Sequence, residues 1–239
     1  VWFRYNQAED DVVQDIHVTA LPGQTTAFIG STGSGKSTLI NLIPRFYDVT
    51  AGKILLDGVD IRKIPQHELR EYIGYVPQKG VLFSGNIASN LRYGSPNATD
   101  EDIRHSADVA QATEFIRRMP DGMETDISQG GTNVSGGQKQ RLSIARALTK
   151  KAPIYIFDDS FSALDFKTDA TLRHALKQDT GDATVLIVAQ RVSTIMDAEQ
   201  IIVLDDGKIV GKGTHRELMQ SCKTYKEIAR SQLSEEELA

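Results

Sequence analysis

The sequence predicts an α/β fold, in which a largely parallel sheet is covered by helices. Short apolar runs that end in Gly or Asp alternate with segments of helical periodicity. One such run, Thr26–Ile29, enters a glycine-rich turn that is followed by a helical pattern over Ser37–Phe46. A third observation is a predominantly helical stretch from about residue 85 to residue 148, set between strand-like segments.

The remaining strands are predicted where apolar runs return along the chain. These runs are Ile54–Asp57, Tyr72–Val76, Ile154–Asp158, Thr184–Ala189 and Ile201–Leu204. The pairs Asp57-Gly58 and Asp206-Gly207 predict tight turns, and the second should close a hairpin. In the helical stretch, Thr99 and Asp102 have the spacing of a capping box. The acidic segment Ser234–Leu238 is expected to be a solvated helix end.

Composition excludes several functional classes. The chain has 239 residues, 40% of them hydrophobic, which suits one large domain with a core of its own. Lys and Arg number 27 against 32 Asp and Glu, so the net charge of -5 argues against a nucleic-acid partner. The single cysteine, Cys222, excludes an internal disulfide and favours a reduced, cytosolic setting.

Two further features concern membranes. No apolar run approaches the ~18 residues that a spanning helix needs, so this segment is expected to be soluble. The chain begins abruptly in the strand-like stretch Val1–Tyr5, which suggests a piece of a longer polypeptide. Any membrane anchor would then lie outside this sequence.

The segment Gly30–Ser37 matches the pattern G-x-x-x-x-G-K-[ST] between a predicted strand and a predicted helix. Its glycines let backbone N–H groups point at phosphates, and a helix starting near Ser34 adds its positive end. Lys36 would contact the β- and γ-phosphates, and the Ser37 hydroxyl would ligate Mg²⁺. A flexible Gly/Ser turn, the alternative, would not need lysine followed by a hydroxyl. The predicted nucleotide contacts are Gly30, Ser31, Thr32, Gly33, Ser34, Gly35, Lys36, Ser37 and Thr38.

Two adjacent carboxylates, Asp158 and Asp159, end the apolar run that starts at Ile154. A strand buried on both faces presents its last side chains at the carboxyl edge of the sheet, where ligands bind. Asp158 is therefore a candidate Mg²⁺ ligand together with Ser37. The two acids could instead form a plain turn or cap a helix at Ser160, a reading that the phosphate loop makes less favourable.

The segment Asn133–Arg141 resembles the L-S-G-G-Q signature motif of ABC ATPases, with Val134 in place of leucine. Tyr5 resembles the aromatic residue that stacks on adenine in that family. Gln78 resembles the loop glutamine that senses Mg²⁺ and faces the membrane domain. Ser162–Asp165 resembles the loop that crosses the dimer interface, so the resemblance covers nearly the whole chain.

This resemblance implies a RecA-like P-loop NTPase core with an antiparallel β subdomain and an inserted α-helical subdomain. Residues 1–84 and 149–239 would form the core and β subdomain, and residues 85–148 the helical subdomain with the signature. The implied cofactors are ATP and Mg²⁺. The implied partners are a second, head-to-tail ABC ATPase domain and a transmembrane domain on the same polypeptide, at the cytoplasmic face of the cell membrane.

The signature also has a physical rationale. Ser135 can cap a helix whose first N–H groups, those of Gly136, Gly137 and Gln138, are expected to be free to bind an anion. The resemblance identifies that anion as the γ-phosphate of ATP held by the other subunit. Tyr5 has a second interpretation, because it alternates with Phe3 and could pack in the core instead of stacking on adenine.

Two departures from the family pattern concern catalysis. Asp159 stands where active members carry the glutamate base, and its carboxylate falls on the order of 1 Å short, a misplacement that can cost roughly 10²-fold in rate. Gln190 stands where a switch histidine is usual, and an amide cannot carry a titrating proton. Ser128–Gly131 also lacks the acid and arginine that exporters often carry. These changes resemble the degenerate subunit of a heterodimeric multidrug exporter, whose own site is slow while its signature completes the partner's site.

Three alternatives remain. An ABC importer ATPase is disfavoured by the exporter-like segments Val81–Ile87 and Asn90–Gly94. A chromosome-maintenance or mismatch-repair ATPase would need a long coiled coil or distant halves between Lys36 and Ser135, and no heptad run lies there. The third alternative is a nucleotide-sensing module without catalysis. It would differ from the exporter interpretation only in the partner domain, which lies outside this sequence. The transported substrate depends on membrane helices outside this sequence.

Overall fold

The computed structural model describes residues 1–238, and these form an α/β protein as predicted. Its strands are β1 (Thr25–Gly30), β2 (Leu55–Leu56), β3 (Val59–Asp60), β4 (Ile73–Val76), β5 (Gly85–Asn86), β6 (Asp126–Ile127), β7 (Ile154–Asp158), β8 (Thr184–Val188), β9 (Gln200–Asp205) and β10 (Lys208–Gly213).

Its α-helices are α1 (Lys36–Asn41), α2 (Gln66–Glu71), α3 (Ile87–Arg92), α4 (Asp100–Val109), α5 (Thr113–Arg118), α6 (Gly136–Thr149), α7 (Phe166–Asp179), α8 (Val192–Ile195), α9 (His215–Ser221), α10 (Lys223–Gln232) and α11 (Glu235–Leu238). Short 3-10 helices occupy Ile61–Lys63, Gly122–Glu124 and Gln129–Gly131. None of the helices within residues 1–238 has the length and apolar character to cross a membrane.

The chain divides into two compact units. The first unit comprises residues 1–73 and 184–238, and the second comprises residues 74–183. The predicted division into residues 1–84 with 149–239 and residues 85–148 stays a prediction, and its last residue, Ala239, lies outside the described range.

In the first unit, β1 lies between β9 and β8 and is parallel to both. β10 pairs antiparallel with β9, which gives the order β10-β9-β1-β8. The inner residues of β1, β8 and β9 are buried without alternation, as expected for strands covered on both faces. β10 alternates between more and less exposed residues, the pattern of a strand with one solvated face. The predicted strands and sheet type are confirmed here.

Both Asp-Gly turns are confirmed as two-residue hairpin loops. Asp57 and Gly58 have φ values of 47° and 83°, and they connect the paired residues Leu56 and Val59. Asp206 and Gly207 have φ values of 45° and 75° and connect β9 to β10. Positive φ at both central residues matches the right-handed twist of the flanking strands.

The helix after the glycine-rich turn is shorter than predicted. Instead of starting near Ser34 and running to Phe46, it covers only Lys36–Asn41. Gly35 has a left-handed φ of 99°, so the helix cannot begin before Lys36. Pro44 has no N–H to continue the helix, and Arg45 has a φ of 57°. The predicted strand Ile54–Asp57 is likewise reduced to Leu55–Leu56, because Asp57 already belongs to the turn.

In the second unit, α6 packs against both α3 and α4, and β7 lies beside β4. The predicted capping box is confirmed, since Thr99 Oγ1 accepts from the Asp102 N–H and Asp102 Oδ2 accepts from the Thr99 N–H. The stretch from residue 85 to 148 is mainly helical as predicted, but it also contains the small antiparallel pair β5–β6. The end of the chain forms α11, which buries no residue, as predicted for a solvated helix end.

Candidate functional site

The phosphate loop, residues Gly30–Ser37, joins the end of β1 to the start of α1 in the first unit. Gly33 and Gly35 have φ values of 79° and 99°, a region that strains other residues. Gly35 is the N-cap and provides no side-chain cap. A Cβ at Gly33 would meet nothing within 4 Å, so the left-handed backbone and not crowding is what favours glycine there. The loop therefore has the curvature that the binding of a phosphate chain needs.

Lys36 is buried, with 9% of its surface exposed. Its Nζ donates hydrogen bonds to Gly30 O at 2.9 Å, Ser31 O at 2.8 Å and Ser34 Oγ at 3.3 Å. These bonds fold the side chain back across the loop, so that its ammonium charge lies beside the loop backbone. A phosphate chain seated there would be met by a cation that is already oriented. The residues present thus fit a nucleoside triphosphate.

The underside of the phosphate loop is held by segments that the sequence did not point to. A Cβ at Gly30 would lie 2.2 Å from Leu204 O, so β9 approaches the loop backbone too closely for any other residue. Gly207 N donates to Ser34 O at 3.1 Å, and a Cβ at Gly207 would lie 2.3 Å from Val12 O. The β9–β10 hairpin therefore supports the loop. The one signal in the sequence is the glycine in the Asp206-Gly207 turn, which hairpin geometry already explains.

Tyr5 lies near the phosphate loop and also takes part in aromatic packing. Its hydroxyl and Thr38 Oγ1 share a hydrogen bond of 2.9 Å. Its ring meets Phe3 edge-on at 4.8 Å and Tyr47 edge-on at 5.2 Å between centroids. Phe3 is buried, whereas Tyr47 is 47% exposed, so the cluster reaches from the core to the surface. Packing of Tyr5 beside Phe3 is therefore observed, whereas its stacking on adenine stays a prediction.

Gln190 lies two residues after the end of β8 and is exposed. Its backbone carbonyl accepts a hydrogen bond from Gln232 Nε2 at 2.7 Å, and the N–H of Val192 donates to Gln232 Oε1 at 2.7 Å. Gln232 is the last residue of α10. Nothing in the sequence linked this residue to Gln190.

Asp158 and Asp159 lie in the second unit, at the carboxyl end of β7, with 5% and 7% of their surfaces exposed. Asp159 has a φ of 49°, which turns the chain sharply after the strand. Gln78 Nε2 donates to Asp159 Oδ2 at 3.2 Å. The structure thus brings together two predicted site residues that the sequence treated separately. The amide oxygen of Gln78 is the atom of that side chain suited to a metal ion.

Tyr75 is a site residue that the sequence analysis missed. Its phenol makes a hydrogen bond with the Asp158 carboxylate. Burial raises the pKa of Tyr75 above its usual value, and the negative charge of Asp158 raises it further. The phenol therefore stays protonated and acts as the donor. Ser160 Oγ donates to Val76 O at 2.9 Å, which ties the turn after Asp159 to the end of β4. These contacts fix the Asp158 carboxylate at the strand end, and a carboxylate is the protein ligand that Mg²⁺ sites commonly use.

The signature segment forms the start of α6. Ser135 Oγ accepts from the Gln138 N–H at 3.1 Å, and Gln138 Oε1 accepts from the Ser135 N–H at 3.0 Å. The expectation that Ser135 caps the helix is confirmed. The expectation of three free N–H groups is wrong, because this capping box already uses the N–H of Gln138. The N–H groups of Gly136 and Gly137 belong to the first turn and have no acceptor within the helix.

The loop before the signature is held by polar side chains of the signature segment Asn133–Arg141. Asn133 Oδ1 accepts from Ser128 N at 3.0 Å, and Asn133 Nδ2 donates to Asp126 O at 2.8 Å. Lys139 Nζ donates to Gly130 O at 2.8 Å. These contacts order the segment Ser128–Gly131, which departs from the exporter pattern.

The first turns of α6 also contact the loop that carries Gln78. Gln140 is 2% exposed, and its Nε2 donates to Pro77 O at 3.2 Å. A Cβ at Gly80 would lie 2.9 Å from Ser143 Oγ and 3.0 Å from Lys139 O. The backbone of residues 77–80 therefore rests directly on the helix that begins with the signature.

Comparison with known proteins agrees with these motifs. A family model described as "ABC transporter" matches residues 13–162. An uncharacterized ABC transporter ATP-binding protein of Mycobacterium bovis is 52% identical over 233 residues, which cover 96% of this chain and 40% of that protein. The "Putative multidrug export ATP-binding/permease protein" of Staphylococcus aureus is 46% identical over 228 residues, covering 95% of this chain and 39% of that protein.

A solved structure, that of a bacterial Atm1-family ABC exporter with ATP bound, superposes with a TM-score of 0.94. It is 36% identical, and the match covers 98% of this chain and 41% of the exporter chain. The present chain spans about 40% of the length of the M. bovis relative. The family model covers more than half of the chain and includes both the phosphate loop and the signature. This chain belongs to the ABC transporter family.

Proposed function

We propose that this chain is the ATP-binding domain of an ABC exporter, in which binding and hydrolysis of ATP drive transport across a membrane. The observation that carries the proposal is the phosphate loop, where the Lys36 ammonium lies against the loop carbonyls of Gly30 and Ser31. Domains of this family bind ATP, generally with Mg²⁺. The staphylococcal relative bears a multidrug export name, and the Atm1-family neighbour is an exporter. An importer ATPase is the alternative.

Within the proposed site, Lys36 binds the β- and γ-phosphates, and the loop N–H groups bind the phosphate oxygens around it. Ser37, Gln78 and Asp158 would hold Mg²⁺, which screens the charge on the phosphates. Tyr75 holds Asp158 through its phenol, so that the carboxylate is presented in one orientation. Tyr5 would stack on the adenine.

The finer proposal is that this chain's own site retains ATP better than it hydrolyses it. Hydrolysis requires water to attack the γ-phosphorus, breaking the bond to ADP, while a base takes the water's proton. Asp159 is one methylene shorter than the family's glutamate, and one of its oxygens already accepts the hydrogen bond from Gln78. Gln190 could donate a hydrogen bond to the γ-phosphate, but unlike histidine it cannot carry a titrating proton.

The signature at the start of α6 would serve a different ATP. Gly136 is exposed and Gly137 half-buried, and both lie in the first turn of a capped helix, where N–H groups favour an anion. A second, non-identical ABC ATPase domain, packed head-to-tail, would supply the γ-phosphate that they bind. A transmembrane domain, on the same polypeptide in the proposed arrangement, would place the pair at the cytoplasmic face of the membrane.

The experiment is a measurement of the ATP and ADP that remain bound to the purified complete transporter during steady turnover. The proposal expects one slowly exchanging, unhydrolysed ATP per complex while the other site turns over. Equal turnover at both sites would refute the slow-site proposal and leave the ATP-binding role intact. Failure to bind ATP after mixing with Mg²⁺ would refute both. To separate exporter from importer, the full polypeptide is examined for membrane-spanning segments joined to this domain.

A further inference from the structure

The loop after β8 is held by the side chain of Gln232, which belongs to neither the phosphate loop nor the signature. Gln232 donates from Nε2 to Gln190 O at 2.7 Å and accepts at Oε1 from Val192 N at 2.7 Å. Its amide thus holds the backbone on both sides of Arg191, some 40 residues away in sequence. Two bonds of this length, one donated and one accepted, fix both the position and the orientation of the segment.

The hydrogen bond to Val192 supplies an acceptor that the start of α8 lacks. Val192 is the first residue of α8, and the N-cap residue Arg191 makes no side-chain capping bond. An N–H in the first turn of a helix has no acceptor within the helix, so it needs one from elsewhere. Gln232 provides it from a different helix. The position of the start of α8 therefore depends on where α10 lies. The same holds for Gln190, the residue before the N-cap Arg191.

α10 is firmly seated in the first unit. Tyr225 and Ala229 are completely buried, and the Tyr225 hydroxyl shares a hydrogen bond of 2.7 Å with His215 Nδ1. Gln232 extends from the last turn of this anchored helix. A long side chain on a fixed helix can hold a loop at a set distance, whereas the same side chain on a mobile segment could not.

We propose that Gln232 is a positioning residue for Gln190, the side chain that replaces the switch histidine. By holding the backbone of residues 190–192, it fixes the distance between the Gln190 side chain and the γ-phosphate. Gln232 belongs to α10 and lies outside both the phosphate loop and the signature segment. The inference rests on the proposed role of Gln190 at a slow ATP site.

The test uses the complete transporter, loaded with radiolabelled ATP and chased with unlabelled ATP. Gln232→Ala is expected to speed release of the retained ATP about tenfold, the effect of losing one hydrogen bond between Gln190 and the γ-phosphate. Gln232→Glu keeps the acceptor for Val192 but places a carboxylate oxygen against the Gln190 carbonyl, so it should act in the same direction. The matched control is Gln220→Ala, the same change at an exposed position on α9.

A double-mutant cycle separates positioning from general stability. In a Gln190→Ala background, Gln232→Ala should add nothing further, because the side chain that it positions is gone. Undiminished acceleration in that background would overturn the proposal, as would release at the wild-type rate in Gln232→Ala or Gln232→Glu. The unfolding temperature of each variant is measured alongside, and Gln232→Glu decides the outcome if the alanine variant does not fold.

The same cycle remains informative if this site proves to be fast. Rapid hydrolysis here would refute the slow-site proposal, and single-turnover hydrolysis would then replace ATP release as the readout. The same lack of additivity between positions 190 and 232 is expected in that case. Full additivity would refute the positioning role alone.

Discussion

The side-chain amide of Gln78 donates to Asp159 Oδ2 at 3.2 Å and so joins two residues 81 positions apart. A carboxylate engaged in this way is oriented by the loop, and one of its acceptor sites is no longer open to water. Gln140, on the signature helix, holds the neighbouring Pro77 carbonyl at 3.2 Å. Within the second unit, one short loop therefore contacts both the strand-end carboxylate and the helix of the signature.

Asp159→Glu is expected to raise single-turnover hydrolysis at this chain's own site by about ten- to a hundredfold. The longer side chain extends the carboxylate by on the order of 1 Å, the scale on which misplacement costs rate. The matched control is Asp159→Asn, which keeps the length but removes the base and should not exceed the wild-type rate. No increase with Asp159→Glu, even with Gln190→His added, would contradict the idea that base length limits this site.

Ser135→Ala is expected to abolish most ATP turnover of the whole complex, because the capped start of α6 would no longer present Gly136 and Gly137 to the partner's ATP. Loss of the cap itself costs about 1 kcal/mol of stability. Thr99→Ala removes an equivalent capping box from α4 in the same unit and controls for that loss. Equal turnover in the two variants, at equal unfolding temperature, would argue against a role for the signature in trans.

Tyr5 can be tested for adenine stacking against simple packing. If it stacks, Tyr5→Ala should weaken ATP binding by about 1–3 kcal/mol, the range for a base on an aromatic ring. Binding of inorganic tripolyphosphate, which has no base, should then be unchanged. Tyr5→Phe keeps the ring and removes only the bond to Thr38, so it should retain most of the ATP affinity. Parallel losses for both ligands in calorimetry would favour the packing role.

Gly207→Ala is expected to weaken ATP binding and lower the unfolding temperature, because a Cβ there would lie 2.3 Å from Val12 O beneath the phosphate loop. Gly58→Ala is the matched control. Gly58 holds the same place in the other Asp-Gly turn, with a φ of 83°, and a Cβ there meets nothing within 4 Å. Backbone strain alone costs roughly 1–2 kcal/mol at such positions. If both variants lose the same stability and neither loses ATP affinity, the hairpin does not support the loop.

Predictions from the sequence were most accurate where the interacting groups are close in the chain. The capping pair Thr99–Asp102 and the cap at Ser135 could be predicted because a helix start brings positions three residues apart together. In the structure, the capping box at Ser135 also uses the N–H of Gln138. That group is therefore not available to the anion that the sequence analysis placed there. The predicted α1 was too long because the apolar periodicity of the sequence continues past Pro44. The helical backbone cannot continue there, since proline has no N–H to donate.

By itself, the sequence determined the α/β class, the phosphate loop, the signature and the two departures at Asp159 and Gln190. Each of these is a contiguous segment or a single position, and its chemistry follows from residue type and local backbone geometry. Only the tertiary structure decided that Gln78 holds Asp159, that Leu204 and Gly207 lie against the phosphate loop, and that Gln232 holds the backbone of residues 190–192. Such contacts join residues about 40 to 180 positions apart. They depend on how strands pair and helices pack, which no local pattern of residues specifies.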